Sequence, residues 1–161
     1  MGGLKVSDTG RLTLEEIGSR ARTVSRILNN LGSREKNIGL EEAARALLEN
    51  EDEILAANGE DYERAQANGM SQGLLDRLQL TPARIHAMAD GLLNVASLDD
   101  PVGEVVSMKL RPNGLQIGQK RVPLGVIGMI YEARPNVTAD AFGLCFKSGN
   151  AVILKGGSDA I

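Results

Sequence analysis

The sequence predicts an α/β protein built as an N-terminal helical layer, a β-hairpin and the first strand–helix–strand unit of a parallel sheet. Three observations point there. Apolar residues recur at three- and four-residue steps from Leu14 to Val95. Two strand-like runs, Glu104 to Arg111 and Leu115 to Val122, flank the turn residues Pro112, Asn113 and Gly114. Finally, the short β-branched runs Gly125 to Tyr131 (GVIGMIY) and Ala151 to Lys155 (AVILK) enclose a helix-period stretch from Val137 to Lys147. The corresponding divisions are residues 1–100, 101–122 and 123–161.

Taken in order, Thr13 and Glu16 spell a capping box, with Leu12 and Ile17 able to staple it. Leu14, Ile17, Ala21, Val24, Ile27, Leu28 and Leu31 then form one apolar stripe that ends at Gly32. Ser33 opens a second helix, whose core side is expected to hold Ala43, Ala44, Leu47 and Leu48. Asn50 with Glu53 marks a restart, and Asn58 and Gly59 are a potential break in the segment that follows. A short helix, Gln72 to Leu78, comes after Ser71. Thr81 and Pro82 then serve as N-cap and first residue of a helix that turns Ile85, Met88, Ala89, Leu92 and Val95 inward and ends before Asp99. In the last unit, Val137, Ala141, Leu144 and Cys145 share a helical face, with Asn136 available as N-cap and Gly149 as the stop. One such unit is not a whole domain, because a parallel sheet is covered on both faces. Its apolar strand faces are therefore expected to lie exposed, and the chain alone to associate.

Composition removes several classes of function. Aromatic residues make up 2% of the 161 residues and the net charge is −3, which supplies neither stacking platforms nor a basic field for nucleic acid. No apolar run approaches the roughly twenty residues that span a bilayer, and no secretory signal opens the chain, so no membrane partner and a cytoplasmic setting are expected. Cys145 is the only cysteine and His86 the only histidine. No intrachain disulfide or cysteine metal cluster can form, and any histidine-based triad would have to be built around His86.

Nearly the whole chain resembles a known family. LTPARI at Leu80 to Ile85, DPVGEV at Asp100 to Val105, RPNGL at Arg111 to Leu115, VPLGVIG at Val122 to Gly128, IYEARPNVT at Ile130 to Thr138 and KSGNAVILKGG at Lys147 to Gly157 carry the likeness, as do EKNIGL and DEILAANGED in the helical half. These residues resemble the gamma-glutamyl phosphate reductase (glutamate-5-semialdehyde dehydrogenase) family of the aldehyde dehydrogenase superfamily. The resemblance covers well under half of a typical member. It implies a doubly wound sheet of which this chain holds the start. It also implies NADPH-dependent reduction of gamma-glutamyl phosphate to glutamate-5-semialdehyde and phosphate, in proline biosynthesis. A cysteine thiolate in such enzymes attacks the acyl carbon, expels phosphate and leaves a thioester that accepts the hydride. That cysteine belongs to a later domain of the family, so this chain alone is expected to be inactive. A homo-oligomer when complete, with the hairpin in its oligomerisation extension, and glutamate kinase as a candidate partner are further implications. The alternative reading is a non-catalytic module suited only to packing and self-association.

The candidate site residues cluster at the two strand ends. Lys155, Gly156, Gly157 and Ser158 leave the second strand where open α/β sheets place their ligands. In many NAD-preferring relatives an acidic residue stands three positions after this lysine; Ser158 stands there instead, which leaves NADP and NADPH free of repulsion at the 2′-phosphate. An ordinary lysine followed by a Gly-Gly turn is the plainer account. Arg134 is kept out of helical geometry by Pro135, and its planar fork suits a substrate carboxylate or phosphate. Asn136 either caps the following helix or contributes to an oxyanion hole, as an asparagine near this position does in related dehydrogenases. By the same resemblance Tyr131 sits where the cofactor pocket begins, with plain packing as the alternative. Gly125 and Gly128 lie inside a strand run, so they are no dinucleotide fingerprint, and close backbone packing is expected of them. Cys145 reads as a buried structural thiol, His86 as a surface residue, and the acidic residues Glu49 to Glu53, Glu60 and Asp61 as a solvated helix face or a helix start.

Overall fold

A computed structural model describes residues 12–132 and 134–157. Helices α1 (Leu14–Leu28), α2 (Ser33–Glu49), α3 (Glu51–Ala67), α4 (Gln72–Leu78) and α5 (Pro82–Ser97) come first. The hairpin β1 (Val105–Leu110) and β2 (Gln116–Lys120) follows, and then β3 (Val126–Ile130), α6 (Asn136–Lys147) and β4 (Ala151–Lys155). The element order is the one the sequence predicts.

Local chemistry sets the helix starts. At α1 the Thr13 hydroxyl accepts from the Glu16 N–H while the Glu16 carboxylate accepts from the Thr13 N–H at 2.8 Å, closing the predicted capping box. Glu35 does the same for the Gly32 N–H at 2.7 Å. Thr81 caps α5 through the Arg84 N–H, with Pro82 in the first turn. The restart at α3 is present, but Asn50 does not cap it. Its side-chain amide donates backward to the Ala46 carbonyl at 2.8 Å and finishes α2 instead.

Asn58 and Gly59 do not interrupt α3, which runs unbroken through both. Asn58 is 7% exposed, and its amide reaches out of the helix: Nδ2 donates to the Leu78 carbonyl at 2.9 Å and Oδ1 accepts from the Leu80 N–H at 2.6 Å. A buried amide whose donor and acceptor are both used carries little desolvation penalty. Asn58 therefore braces the α4–α5 connection against α3.

The main core lies between α2, α5 and α6. Leu40, Ala44, Ala89, Leu92 and Ala96 are buried there, with Phe142 and Phe146 of α6 packed against them and their rings stacked at 5.3 Å. Gly143 permits this approach, since a Cβ on it would lie 2.7 Å from Leu92 Cδ2. Leu40, not Leu48, is the centre of α2's inner face; Leu48 points to solvent because the crossing of α5 selects the row through residues 40 and 44. Leu144 is likewise exposed, and Ala141, Gly143 and Cys145 take the inner side of α6. A smaller core of Ala65, Leu75 and Leu78 joins α3 to α4.

The predicted α1 stripe is only half covered. α1 lies along β4 and β3, yet Leu14, Val24 and Ile27 remain exposed. Two strands spaced about 5 Å apart form a surface narrower than the roughly 10 Å width of a helix. In the sheets, β1 pairs with β2 antiparallel through Met108↔Gly118 and Lys109↔Ile117, with a bulge between Val105 and Ser107. β3 pairs with β4 parallel from Val126↔Ala151 to Ile130↔Lys155. Of the apolar side chains in the parallel pair only Val126 and Ile130 are exposed, because α1 and α6 partly cover Ile127, Met129 and the apolar residues of β4; on the hairpin Met108, Leu110 and Ile117 are exposed. Close packing does not explain Gly125 and Gly128, because an added Cβ meets nothing within 4 Å at either. Gly125 is needed for its φ of +111°, which lets the chain turn into β3.

Two lysines are buried in the interior, Lys36 in the first turns of α2 and Lys147 against them. Lys36, 1% exposed, holds both oxygens of Asp100 at 3.0 and 2.9 Å, and the same carboxylate accepts from the Ser33 hydroxyl and the Val102 N–H. Lys147, 4% exposed, donates to Asn37 Oδ1 at 2.6 Å and to the Ala96 carbonyl at 2.9 Å. Adjacent residues of α2 thus fasten the root of the hairpin and the end of α6.

Candidate functional site

The parallel pairing of β3 and β4 continues one step past the strands, where the Tyr131 N–H donates to the Lys155 carbonyl at 3.1 Å. Tyr131 and Lys155 are thereby brought to one carboxyl edge. Tyr131 is half-buried, and its hydroxyl shares a 2.6 Å hydrogen bond with Thr138 Oγ1 on the first turn of α6. Lys155 is exposed and its ammonium donates to the Gly156 carbonyl at 2.7 Å. Gly156 and Gly157 follow it, half-buried, while Ser158 lies outside the described residues.

Arg134 and Asn136 turn to a neighbouring recess. Pro135 has φ −57° and ψ −34° and stands at the cap of α6, so Asn136 is the first helical residue and not the N-cap. A proline's fixed φ and missing N–H suit it to a helix start. The Val137 and Thr138 N–H groups are met by the Arg134 and Pro135 carbonyls, and the Asn136 amide donates to Asp140 at 3.3 Å. Arg134, Asn136 and Asp140 line a recess of about 400 Å³ whose other wall is Asp76, Arg77 and Gln79 of α4 and its exit, with Arg84 of α5. A second cleft, of about 630 Å³, runs between α2, α3, α5 and α6; it is mostly apolar, with Tyr131, Pro135 and Thr138 at one side. Leu80 and Met88 line both spaces.

No protein-family profile matches the chain. The gamma-glutamyl phosphate reductase of Lachnospira eligens is 61% identical over 149 residues, which is 92% of this chain and 36% of that protein. The enzyme of the same name from Moorella thermoacetica is 60% identical over 149 residues, with the same shares. Among solved structures, gamma-glutamyl phosphate reductase from Thermotoga maritima superposes with a TM-score of 0.88 at 45% identity, over 91% of this chain and 36% of that one. The Saccharomyces cerevisiae reductase gives a TM-score of 0.88 at 35% identity, over 93% and 38%. The chain resembles a segment of gamma-glutamyl phosphate reductase in sequence and in fold. It spans 36% of the length of these two curated reductases.

Within this reductase-like segment the remaining candidates separate clearly. Cys145 is buried at 5% exposure, and burial pushes its thiol above the ordinary value, away from the thiolate that attack requires. His86 is 62% exposed, with Nε2 3.1 Å from Glu51. Asp61 is not a solvated face residue: it is 8% exposed, borders the apolar cleft and pairs with Arg64 at 3.0 Å. Its three-residue step from Asn58, the other buried polar residue on that face of α3, was the available signal. Arg77 and Arg84 were not anticipated as neighbours of Arg134. They sit on separate helices, and the packing of α5 on α6 together with the brace at Asn58 brings them beside it.

Proposed function

We propose that this chain supplies the cofactor edge and the substrate-anion recess of a gamma-glutamyl phosphate reductase, which reduces gamma-glutamyl phosphate to glutamate-5-semialdehyde and phosphate in proline biosynthesis. The observation that carries the reading is the pairing of Tyr131 with Lys155 at the carboxyl ends of β3 and β4, with Arg134 and Asn136 lining a neighbouring recess, in a chain 61% identical over 149 residues to part of an enzyme of that name. Carboxyl ends of parallel strands are where such sheets take ligands. The donor set fits a phosphorylated dinucleotide: an exposed ammonium at Lys155, two half-buried glycines after it and no carboxylate at Ser158. NADPH, when bound, supplies the hydride. Lys155 holds and orients the adenosine end, Tyr131 borders the site, and Asn136 directs its amide to the reacting oxygen. Arg134 neutralises a substrate oxyanion. The attacking thiolate comes from outside these residues, since Cys145 is buried and held protonated.

The hairpin supports a homo-oligomer in this reading. Val105, Met108, Leu110, Leu115 and Ile117 are all at least 46% exposed on it, and edge strands of this kind find partners. The division into helical, hairpin and cofactor segments at residues 1–100, 101–122 and 123–161 belongs to the same proposal, as does glutamate kinase as the source of the acyl phosphate. No described helix is long and apolar enough to cross a membrane, and we place the reaction in the cytoplasm.

The test is phosphate-dependent reduction of NADP by glutamate-5-semialdehyde. The enzyme that carries this segment should turn over, and the chain alone should not. Turnover by the chain that is lost in Cys145→Ser would overturn the assignment of the thiolate to other residues. In the active enzyme Lys155→Ala should raise the KM for NADPH by about tenfold, with a much smaller effect on NADH, because one charged contact to the 2′-phosphate is removed. Equal changes for both cofactors would move Lys155 away from the 2′-phosphate.

A further inference from the structure

We propose that Arg77 and Arg134 form a two-guanidinium subsite for a small oxyanion, held in place by the Arg84–Asp76 contact. The proposal rests on the reductase reading for its biological ligand, but its chemistry stands on the recess itself. Three arginines and two aspartates line that space. Arg84 is already committed: its guanidinium donates to the Asp76 and Gln79 carbonyls at the end of α4 and lies 3.6 Å from the Asp76 carboxylate. Asp140 is engaged by the Asn136 amide at 3.3 Å. Among the described residues, neither Arg77 nor Arg134 takes part in an ion pair. The two committed groups therefore act as scaffold, and Arg77 and Arg134 line the same recess from the α4 side and the α6 side.

Such a pair suits a group with paired oxygens, because each planar fork can make parallel charged hydrogen bonds. A carboxylate and a phosphate share this chemistry. In the reductase reading they correspond to the carboxylate of the glutamyl chain and the phosphoryl group. Arg84 is a positioning residue, since it ties the exit of α4 to the start of α5 and so sets where Arg77 emerges.

The experiment needs no turnover, so its failure is separable from failure of the reductase assignment. Arginine side-chain NMR signals of the 161-residue chain would be followed during titration with inorganic phosphate in one arm and glutarate in the other. The Arg77 and Arg134 signals should move together and saturate in at least one arm. Saturation by phosphate alone assigns the subsite to the phosphoryl group, and by glutarate alone to the carboxylate. Arg77→Ala should weaken binding by at least about tenfold, and Arg77→Lys should fall between the two because it keeps charge without the fork. Arg26→Ala, on exposed α1, should change nothing. The proposal is overturned if neither signal shifts up to roughly 50 mM ligand, well beyond millimolar affinity. It is equally overturned if Arg77→Ala binds both ligands as the unaltered chain does.

Discussion

Replacement of Lys36 by alanine is expected to lower the unfolding free energy by about 3–5 kcal/mol, because it leaves the Asp100 carboxylate buried without its counter-charge. Asp100 is 10% exposed at its side chain and would retain only the Ser33 hydroxyl and the Val102 N–H. A shift of the denaturant midpoint measures the loss. A change below about 1 kcal/mol, the range of surface pairs, would show that water reaches the carboxylate freely. Replacing both partners, as Lys36→Met with Asp100→Asn, should cost less than the sum of the single changes.

The same pair gives the chain an acid-side weakness. Burial acts to raise the Asp100 pKa, but the Lys36 ammonium, the Val102 N–H and the Ser33 hydroxyl together bring it below its ordinary value. A carboxyl lowered in the folded state contributes stability above its unfolded pKa and loses it as pH falls through the folded one. The loss should therefore begin near pH 4 and continue downward. In Lys36→Ala this part of the pH dependence should flatten.

Asn58→Ala should cost about 2–4 kcal/mol, since it strands the Leu78 carbonyl and the Leu80 N–H inside the structure. Its reach extends beyond stability. Leu78 and Leu80 bracket the segment that positions Arg77 and Arg84, so the arginine recess should loosen even where the chain stays folded. Faster amide exchange across Gln72–Leu78 in the folded variant would reveal this. Unchanged exchange there, with a stability loss under about 1 kcal/mol, would mean that water replaces the Asn58 amide.

What could be read from the sequence was what neighbours in the chain decide. Thr13 with Glu16, Thr81 with Pro82 and Gly149 after α6 each satisfy their helix ends within a few residues, and all three behave as expected. The order of elements follows from them. Which row of a periodic stripe faces inward was not readable. Leu40 and Leu48 are equally apolar, and only the crossing with α5 buries the first and exposes the second. The same holds for the site. Pro135 makes Arg134 conspicuous beside its own strand, whereas Arg77 becomes its neighbour only through the folding of α4 and α5 onto α6. Asn58 shows the limit most plainly. An Asn-Gly pair reads as a break, but partners 20 and 22 residues away turn it into a support.

The burial of two ammonium groups also makes the chain its own reporter of folding. Lysine chemistry is normally surface chemistry, and Lys109, Lys120 and Lys155 are open to it. Lys36 and Lys147 are closed within the helical layer, each with its ammonium already engaged. An amine-reactive label should thus pass over these two positions in native molecules and mark them in any molecule that has opened. Counting labels per chain by mass would then separate folded from unfolded copies, without a ligand, a cofactor or an assay of turnover.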